Sequence, residues 1–328
     1  MIEPREALAA WAIPGPWAIR PTQRGTNNRS FVVETSAGSY FLRLSPTAGD
    51  LARVRHEHTL LRRLHEAALS FAVPRPLVTD TGETYLIRDG VAISLFPGIA
   101  SDHPEAGNIA QATACGEALG ELDAALATID AGPTPPGMPR FGDLPHAGSL
   151  IEDGLALLDQ SPDAAMPPRP RALIAALVAT IPGVCARLPA QLIHGDFYRG
   201  NVLMRGNRVS GILDFEFASP GPRAMDLAVA IRGFSDADWG TDPSWQIVEA
   251  LAAGYRRRVA LTSAEIEALP TLLLLREATS WVHWVGRCRQ GLTTPADIVH
   301  RAHDLLRLDD HLRAHGVELI ERVERAAP

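Results

Sequence analysis

The sequence predicts an α+β chain of two lobes: a small antiparallel β-rich N-terminal lobe with one helix, and a larger, mostly helical C-terminal lobe. Three observations predict it. Residues 1–96 carry paired strand-like runs around one helical stretch, Pro97-Gly98 breaks the pattern, and Ala- and Leu-rich helical periodicity dominates from Asn108 onward. At 328 residues the chain also exceeds what one hydrophobic core usually supports. Lobes are therefore expected at 1–96 and 97–328, with the hinge at Pro97-Gly98.

Arg29–Thr35 and Ser39–Leu44 are rich in Val, Phe and Tyr and flank Ser36-Ala37-Gly38, a hairpin signal. Leu51 to Ala68 contains neither Gly nor Pro, and Val54, Leu61 and Leu64 recur on one face, which predicts a helix. Thr84–Arg88 and Val91–Phe96 flank Asp89-Gly90 and predict a second hairpin. Past the hinge, helices are expected over Asn108–Ile129, Leu150–Leu158 and Arg171–Leu188, the last kinked or broken near Pro182. Pro-rich connections separate them at Pro133–Pro139 and Ser161–Pro170. Short strands and loops fill 192–217, and Ile247 to Glu324 is helical again, with breaks near Leu261-Thr262, Pro270 and Gly291.

Composition narrows the function. A net charge of -7 argues against nucleic acid, whose phosphates need a basic patch. No apolar run approaches the roughly 18 residues that a membrane span needs. The opening MIEPREALAAW is acidic and lacks a basic region followed by an apolar stretch, so no secretory signal is expected. Cys115, Cys185 and Cys288 are scattered, which fits free thiols in a reducing cytoplasm better than disulfides or a metal cluster. All 31 basic residues are Arg. Without lysine, Schiff-base and pyridoxal-phosphate chemistry and the lysine-dependent phosphate loop are excluded. A basic side chain that meets a phosphate must be Arg.

The chemistry concentrates between Leu192 and Ala230, where His194-x-Asp196-x4-Asn201 precedes Asp214-Phe215. Val202–Met204 and Val209–Leu213 are apolar strand-like runs turned by Gly206-Asn207. Asn201 enters that hairpin and Asp214 leaves it, so strand pairing brings both to one end. An amide oxygen and a carboxylate there can hold a hard cation such as Mg2+. Asp196 can then face a substrate hydroxyl beside metal-bound phosphates.

This spacing matches the protein-kinase catalytic loop and its later metal-binding motif. Gly195 stands where that loop has Arg, and Glu216 where the later motif has Gly. With Asp226-Leu227-Ala228, these departures resemble the aminoglycoside phosphotransferase and choline kinase superfamily. Within it the chain is nearest to the bacterial type II homoserine kinases, on His194, Asp196, Asn201, Val202, Leu203, Gly206, Ser210, Gly211, Asp214, Phe215, Phe217 and Ala218. The resemblance implies a two-lobed protein-kinase-like fold that uses ATP and Mg2+. Gly25–Val33 is similar to the family's nucleotide-covering loop and following strand, and Gly38–Leu44 to the strand whose basic residue touches the ATP phosphates. That resemblance puts Arg43 where most kinases have Lys. Glu57 lies on the buried face of the first helix, where a carboxylate needs a partner, and Arg43 is the candidate.

Under the same resemblance, Ser94-Leu95-Phe96 would offer backbone groups to adenine. His194 reads as a structural brace, and Asp226 as a cap on a helix starting near Leu227 that also tethers the catalytic loop. Glu216 reads equally as a contact for a substrate amine or the metal, or as a salt-bridge partner for an Arg. Tyr198 and Arg199 are candidates to reach acceptor or phosphate. Trp281 and Trp284, with His283, read either as acceptor-pocket residues or as a core aromatic cluster. The expected activity is transfer of the γ-phosphate of ATP to a hydroxyl of a small-molecule acceptor, homoserine first. Aminoglycosides, choline, sugars and other amino alcohols are the alternatives, and a nucleotide-binding pseudokinase scaffold is the rival from another class. The sequence leaves the oligomeric state open.

Overall fold

The computed structural model of the chain describes residues 2–22, 28–46, 51–130, 135, 141–160, 168–235 and 245–326. The Gly25-Thr26-Asn27 part of the expected nucleotide-covering loop lies outside these residues, as do most of the two Pro-rich connections. The N-terminal part comprises α1 (Pro4–Leu8), β1 (Ala18–Pro21), β2 (Arg29–Thr35), β3 (Gly38–Pro46), α2 (Leu51–Glu66), β4 (Leu86–Arg88) and β5 (Val91–Pro97). The strands form one antiparallel sheet in the order β1-β2-β3-β5-β4. Gly38, at φ +131°, makes the β2–β3 turn, a backbone angle that a side chain would resist.

The remainder is α3 (Ile109–Leu126), α4 (Gly148–Asp159), α5 (Pro168–Cys185), β6 (Ala190–Ile193), β7 (Val202–Arg205), β8 (Arg208–Ile212), β9 (Ser219–Pro222), α6 (Ala224–Phe234), α7 (Trp245–Arg256), α8 (Ser263–Arg289) and α9 (Pro295–Arg325). The α+β class is therefore as expected. Among the described residues no helix is long and apolar enough to cross a membrane.

Several local readings need correction. Helix α5 starts at Pro168, inside the expected Pro-rich connection, because first-turn prolines surrender only amide hydrogens that have no helical partner anyway. Helix α8 runs unbroken through Pro270. Its buried face, Ile266, Leu269, Leu272 and Leu273, and the Thr262–Glu265 capping box outweigh the roughly 3 kcal/mol that an interior proline costs. The β6–β9 pairing and the short α1 and β1 carry no periodic signal, and sequence reading passes over them.

Two hydrophobic clusters organise the chain. The smaller joins Leu8 and Trp11 to Val33, Leu42, Ile93 and Leu95 on one face of the sheet. The larger fills the helical part and takes in Leu60, Leu61 and Leu64 of α2 with Phe96 of β5. Three leucines of α2 therefore belong to the larger core while its sequence neighbours build the sheet. At its centre α3 and α7 cross at backbone contact. A Cβ on Gly254 would meet the Thr113 carbonyl at 2.0 Å, and one on Gly116 the Leu251 carbonyl at 2.1 Å.

Candidate active site

Strand β6 delivers the chain to His194-Gly195-Asp196, and Gly195 turns it at φ +78°. A Cβ there would also stand 3.1 Å from the Phe217 carbonyl. The turn aims consecutive amides at one acceptor: His194 N–H and Gly195 N–H donate to the Asp226 carboxylate at 2.6 and 2.7 Å. Asp226 thus tethers the loop as expected. It does not cap its helix, however, because α6 already begins at Ala224 and the carboxylate is spent on the loop. Behind it, Tyr255 donates to Asp123 Oδ2 at 2.6 Å, and burial and the Asp226 charge hold the Asp123 carboxyl well above the usual range.

The His194 ring is fully buried and edge-on to Phe215, with centroids 4.7 Å apart. Its Nε2 donates to the Leu213 carbonyl at 3.0 Å and its Nδ1 accepts the Asp196 amide at 3.2 Å. Both nitrogens are used as a neutral imidazole uses them, and burial pushes the pKa down. That geometry suits a brace.

Asn201 donates from Nδ2 to the Asp196 backbone carbonyl at 2.9 Å and to Asp196 Oδ2 at 2.8 Å. Burial raises the Asp196 pKa to about 7 against the opposing pull of the Arg276 charge and the Asn201 bond. A carboxyl with such a pKa can exchange a proton near neutrality.

The β7–β8 hairpin forms as expected, with Val202 opposite Ile212. Its outer edges are fixed by Asp102 on Met204 and by Ala72 on Gly211. Leu213 N–H donates to the Asn201 carbonyl at 2.8 Å, which closes the hairpin end and sets Asp214 beside Asn201. Asp214 sits at φ +65°, a left-handed conformation that costs a non-glycine residue about 1 kcal/mol. Burial, then the Glu216 charge, holds its carboxyl well above the usual range.

These residues fit a hard cation. The Asn201 NH2 group is committed to Asp196, which leaves Oδ1 as an acceptor, and no hydrogen bond from a described residue reaches the Asp214 carboxylate. Both donors are oxygens. No group of three or more His, Cys, Asp or Glu among the described residues could hold a metal. A sparse oxygen set that leaves positions for phosphate and water is what Mg2+ accepts.

On the sheet side, Arg43 pairs with Glu57 at 2.5 Å, with its guanidinium 5.0 Å from the Phe96 ring centre. Arg43 also acts on Asp214 and Glu216. Asn28 donates to Glu216 Oε2 at 2.7 Å and so links the start of β2 to the loop after the hairpin. The expected adenine contacts at Ser94 and Phe96 need correction. Gly98 N–H donates to the Ser39 carbonyl, and antiparallel alternation then commits the backbone groups of Phe96 to Phe41 and of Ser94 to Arg43. The opposite strand edge presents Leu95 and Pro97, and the Leu95 carbonyl already accepts from Leu77.

Beyond Asp196, Tyr198 is exposed and backs onto Gly233, where a Cβ would clash with its own at 2.4 Å; Arg199 is half-buried. Trp281 is core rather than pocket: it is 1% exposed, with its indole N–H donating to the Ile298 carbonyl at 3.3 Å. Trp284 is flanked by Arg301 at 3.8 Å and Arg287 at 5.3 Å. Sequence reading missed Arg276, the cation that acts most strongly on Asp196, and the bond from Asn28 to Glu216. The signal for Arg276 was available: Arg276-Glu277 directly follows the run Leu272–Leu275 in a core-facing helix, where charges need a purpose.

The chain is similar to several known kinases. A homoserine kinase of Pseudomonas aeruginosa strain UCBPP-PA14 is 31% identical over 269 residues, covering 80% of this chain and 79% of that protein. One from Rhodopseudomonas palustris strain BisA53 is 29% identical over 321 residues, covering 94% and 90%. Among solved structures, the amicoumacin kinase hAmiN in complex with AMP-PNP, Ca2+ and Ami superposes with a TM-score of 0.69 at 15% identity, covering 93% of this chain and 92% of that one. A microcompartment-associated aminopropanol kinase gives 0.65 at 16% identity, covering 96% and 98%. At these identities the structures speak for the fold. Residues 18–269 match the model of the phosphotransferase enzyme family, and the chain belongs to that family.

Proposed function

We propose that this phosphotransferase moves the γ-phosphate of ATP to the side-chain hydroxyl of homoserine. The observation that carries the chemistry is the convergence of Asp196, Asn201 and Asp214 at one hairpin end, with Arg43 acting on Asp214 from the sheet. The acceptor rests on the homoserine kinases that match most of the chain.

In this reading Asp196 orients the acceptor hydroxyl and takes its proton. The new bond joins the acceptor oxygen to phosphorus as the bond to the β-phosphate oxygen breaks and ADP leaves. Phosphoryl transfer is loose, so placement of the hydroxyl outweighs early deprotonation. Asn201 and Asp214 would hold Mg2+, which supplies charge neutralisation to the phosphates when bound. Arg43, kept charged and fixed by Glu57, faces the same phosphates in place of a lysine.

A panel of hydroxyl acceptors scored by ADP release tests the proposal. L-homoserine is expected to give the highest kcat/KM, ahead of choline, 3-aminopropan-1-ol, an aminoglycoside and a methylthio sugar. A higher value for any of these would overturn the assignment of the acceptor, and ADP release with none of them would overturn the transferase reading.

A further inference from the structure

The helical side of Asp196 carries an arrangement that phosphate transfer alone does not require. Arg276 on α8 donates from Nη1 to Glu277 at 2.7 Å and makes no other hydrogen bond among the described residues. The rest of its five-donor fork is unspent in a half-buried position beside Asp196 and Tyr198. Arg301 on α9 is also half-buried and hydrogen-bonds to no described residue; it lies on the Trp284 face at 3.8 Å. The two guanidiniums are close enough to repel each other. Glu277 must serve both, and Arg232 of α6 meets it as well, at 3.1 Å. Asp297 and Asp304 act on Arg301 from its own helix, but Asp304 is already held by Arg307.

Two like charges held close together with open donors make a favourable seat for an anion. Arg43 stands with Glu57, Glu216 and Asp214 on the sheet side, whereas Arg276 stands with Asp196 and Tyr198 on the helical side. An acceptor whose hydroxyl lies at Asp196 brings its remaining atoms to Arg276.

We infer that Arg276 and Arg301 form a subsite for a carboxylate on the acceptor, so that the enzyme selects hydroxy acids and hydroxy amino acids over cationic or uncharged alcohols. The inference rests on the placement of the acceptor hydroxyl at Asp196 proposed above. The planar fork of Arg276 is suited to take both carboxylate oxygens, with Glu277, itself paired with Arg232, holding its Nη1. Arg301, braced on Trp284, approaches from the facing helix.

The test compares L-homoserine and 4-hydroxybutyrate, which carry the carboxylate, with 3-aminopropan-1-ol, which lacks it. In the wild type kcat/KM is expected to favour the carboxylate acceptors by about 30-fold, the worth of a charge-assisted bond. In Arg276→Gln that preference collapses to within about threefold, mainly through KM for the carboxylate acceptor, while KM for ATP moves little. Arg301→Gln loses part of it, and Arg276→Lys recovers part. If the wild type prefers 4-hydroxybutyrate or another hydroxy acid to homoserine, the homoserine assignment fails and the subsite stands. A wild type that prefers 3-aminopropan-1-ol, or a preference that survives in both glutamine variants, overturns the subsite. Should no acceptor turn over, calorimetric titration of L-homoserine with ADP present decides. Binding lost in the folded Arg301→Gln protein supports the subsite; equal binding, or none to the wild type, overturns it.

Discussion

At the scale of single residues, the site is built by side chains whose neighbours leave them one role. Gly195 is required twice over, by its positive φ and by its 3.1 Å approach to the Phe217 carbonyl. Gly195→Ala is expected to cost about 2 kcal/mol. It should also lower kcat by swinging the two amides away from Asp226; urea midpoints and initial rates measure both effects. His58 gives a signed pH effect. Burial, then the Arg43 charge, depresses its pKa to about 3 from an ordinary 6.5, while Thr84 and Ser94 hold the ring. Below pH 6.5 only the unfolded chain takes that proton, so the stability His58 confers is complete above 6.5 and falls away toward 3. The loss between pH 7.5 and 5.5 is about 1.4 kcal/mol. In denaturant titrations His58→Gln should lack that increment, so subtracting its profile from the wild type isolates the histidine from the buried carboxylates. Parallel profiles would refute it.

At the scale of elements, the α3–α7 crossing positions the Asp123–Tyr255 bond behind the loop that Asp226 holds. Gly254→Ala would drive a methyl into the Thr113 carbonyl and should cost about 3 kcal/mol, read from thermal and urea denaturation. Elements also show what could be read from the chain. The β7–β8 hairpin and α2 were legible because alternation and helical periodicity are local, and the hairpin carries Asn201 and Asp214 at its ends. The run through Pro270 was not legible, since a buried leucine face overrode a local breaker. Nor was the loss of Ser94 and Phe96 to the β3 ladder, which depends on which edge of β5 is paired.

At the scale of the whole molecule, the site joins parts far apart in sequence. The Asn28–Glu216 bond spans 188 residues, and Arg276 reaches the loop from a helix whose own pattern reads as core. Asp196, Asn201 and Asp214 were readable because they share one short stretch; these partners were not, because only tertiary packing brings them in. The same assembly concentrates Glu57, Glu216 and Asp214 around Arg43, with Asp196 acting on Asp214 from the catalytic loop. Mg2+ with ADP should therefore raise the melting temperature of the wild type by several degrees and that of Asp214→Asn by much less. Equal shifts in calorimetry would remove Asp214 from the metal site.

The most direct measurement is mass-spectrometric detection of the phosphorylated acceptor after incubation with ATP, Mg2+ and L-homoserine, for the wild type and Asp196→Ala side by side. The wild type should yield O-phosphohomoserine and ADP in equal amounts. The variant should still bind ATP but lose about a thousandfold or more in rate. An Asp196→Ala protein with wild-type turnover would contradict the account.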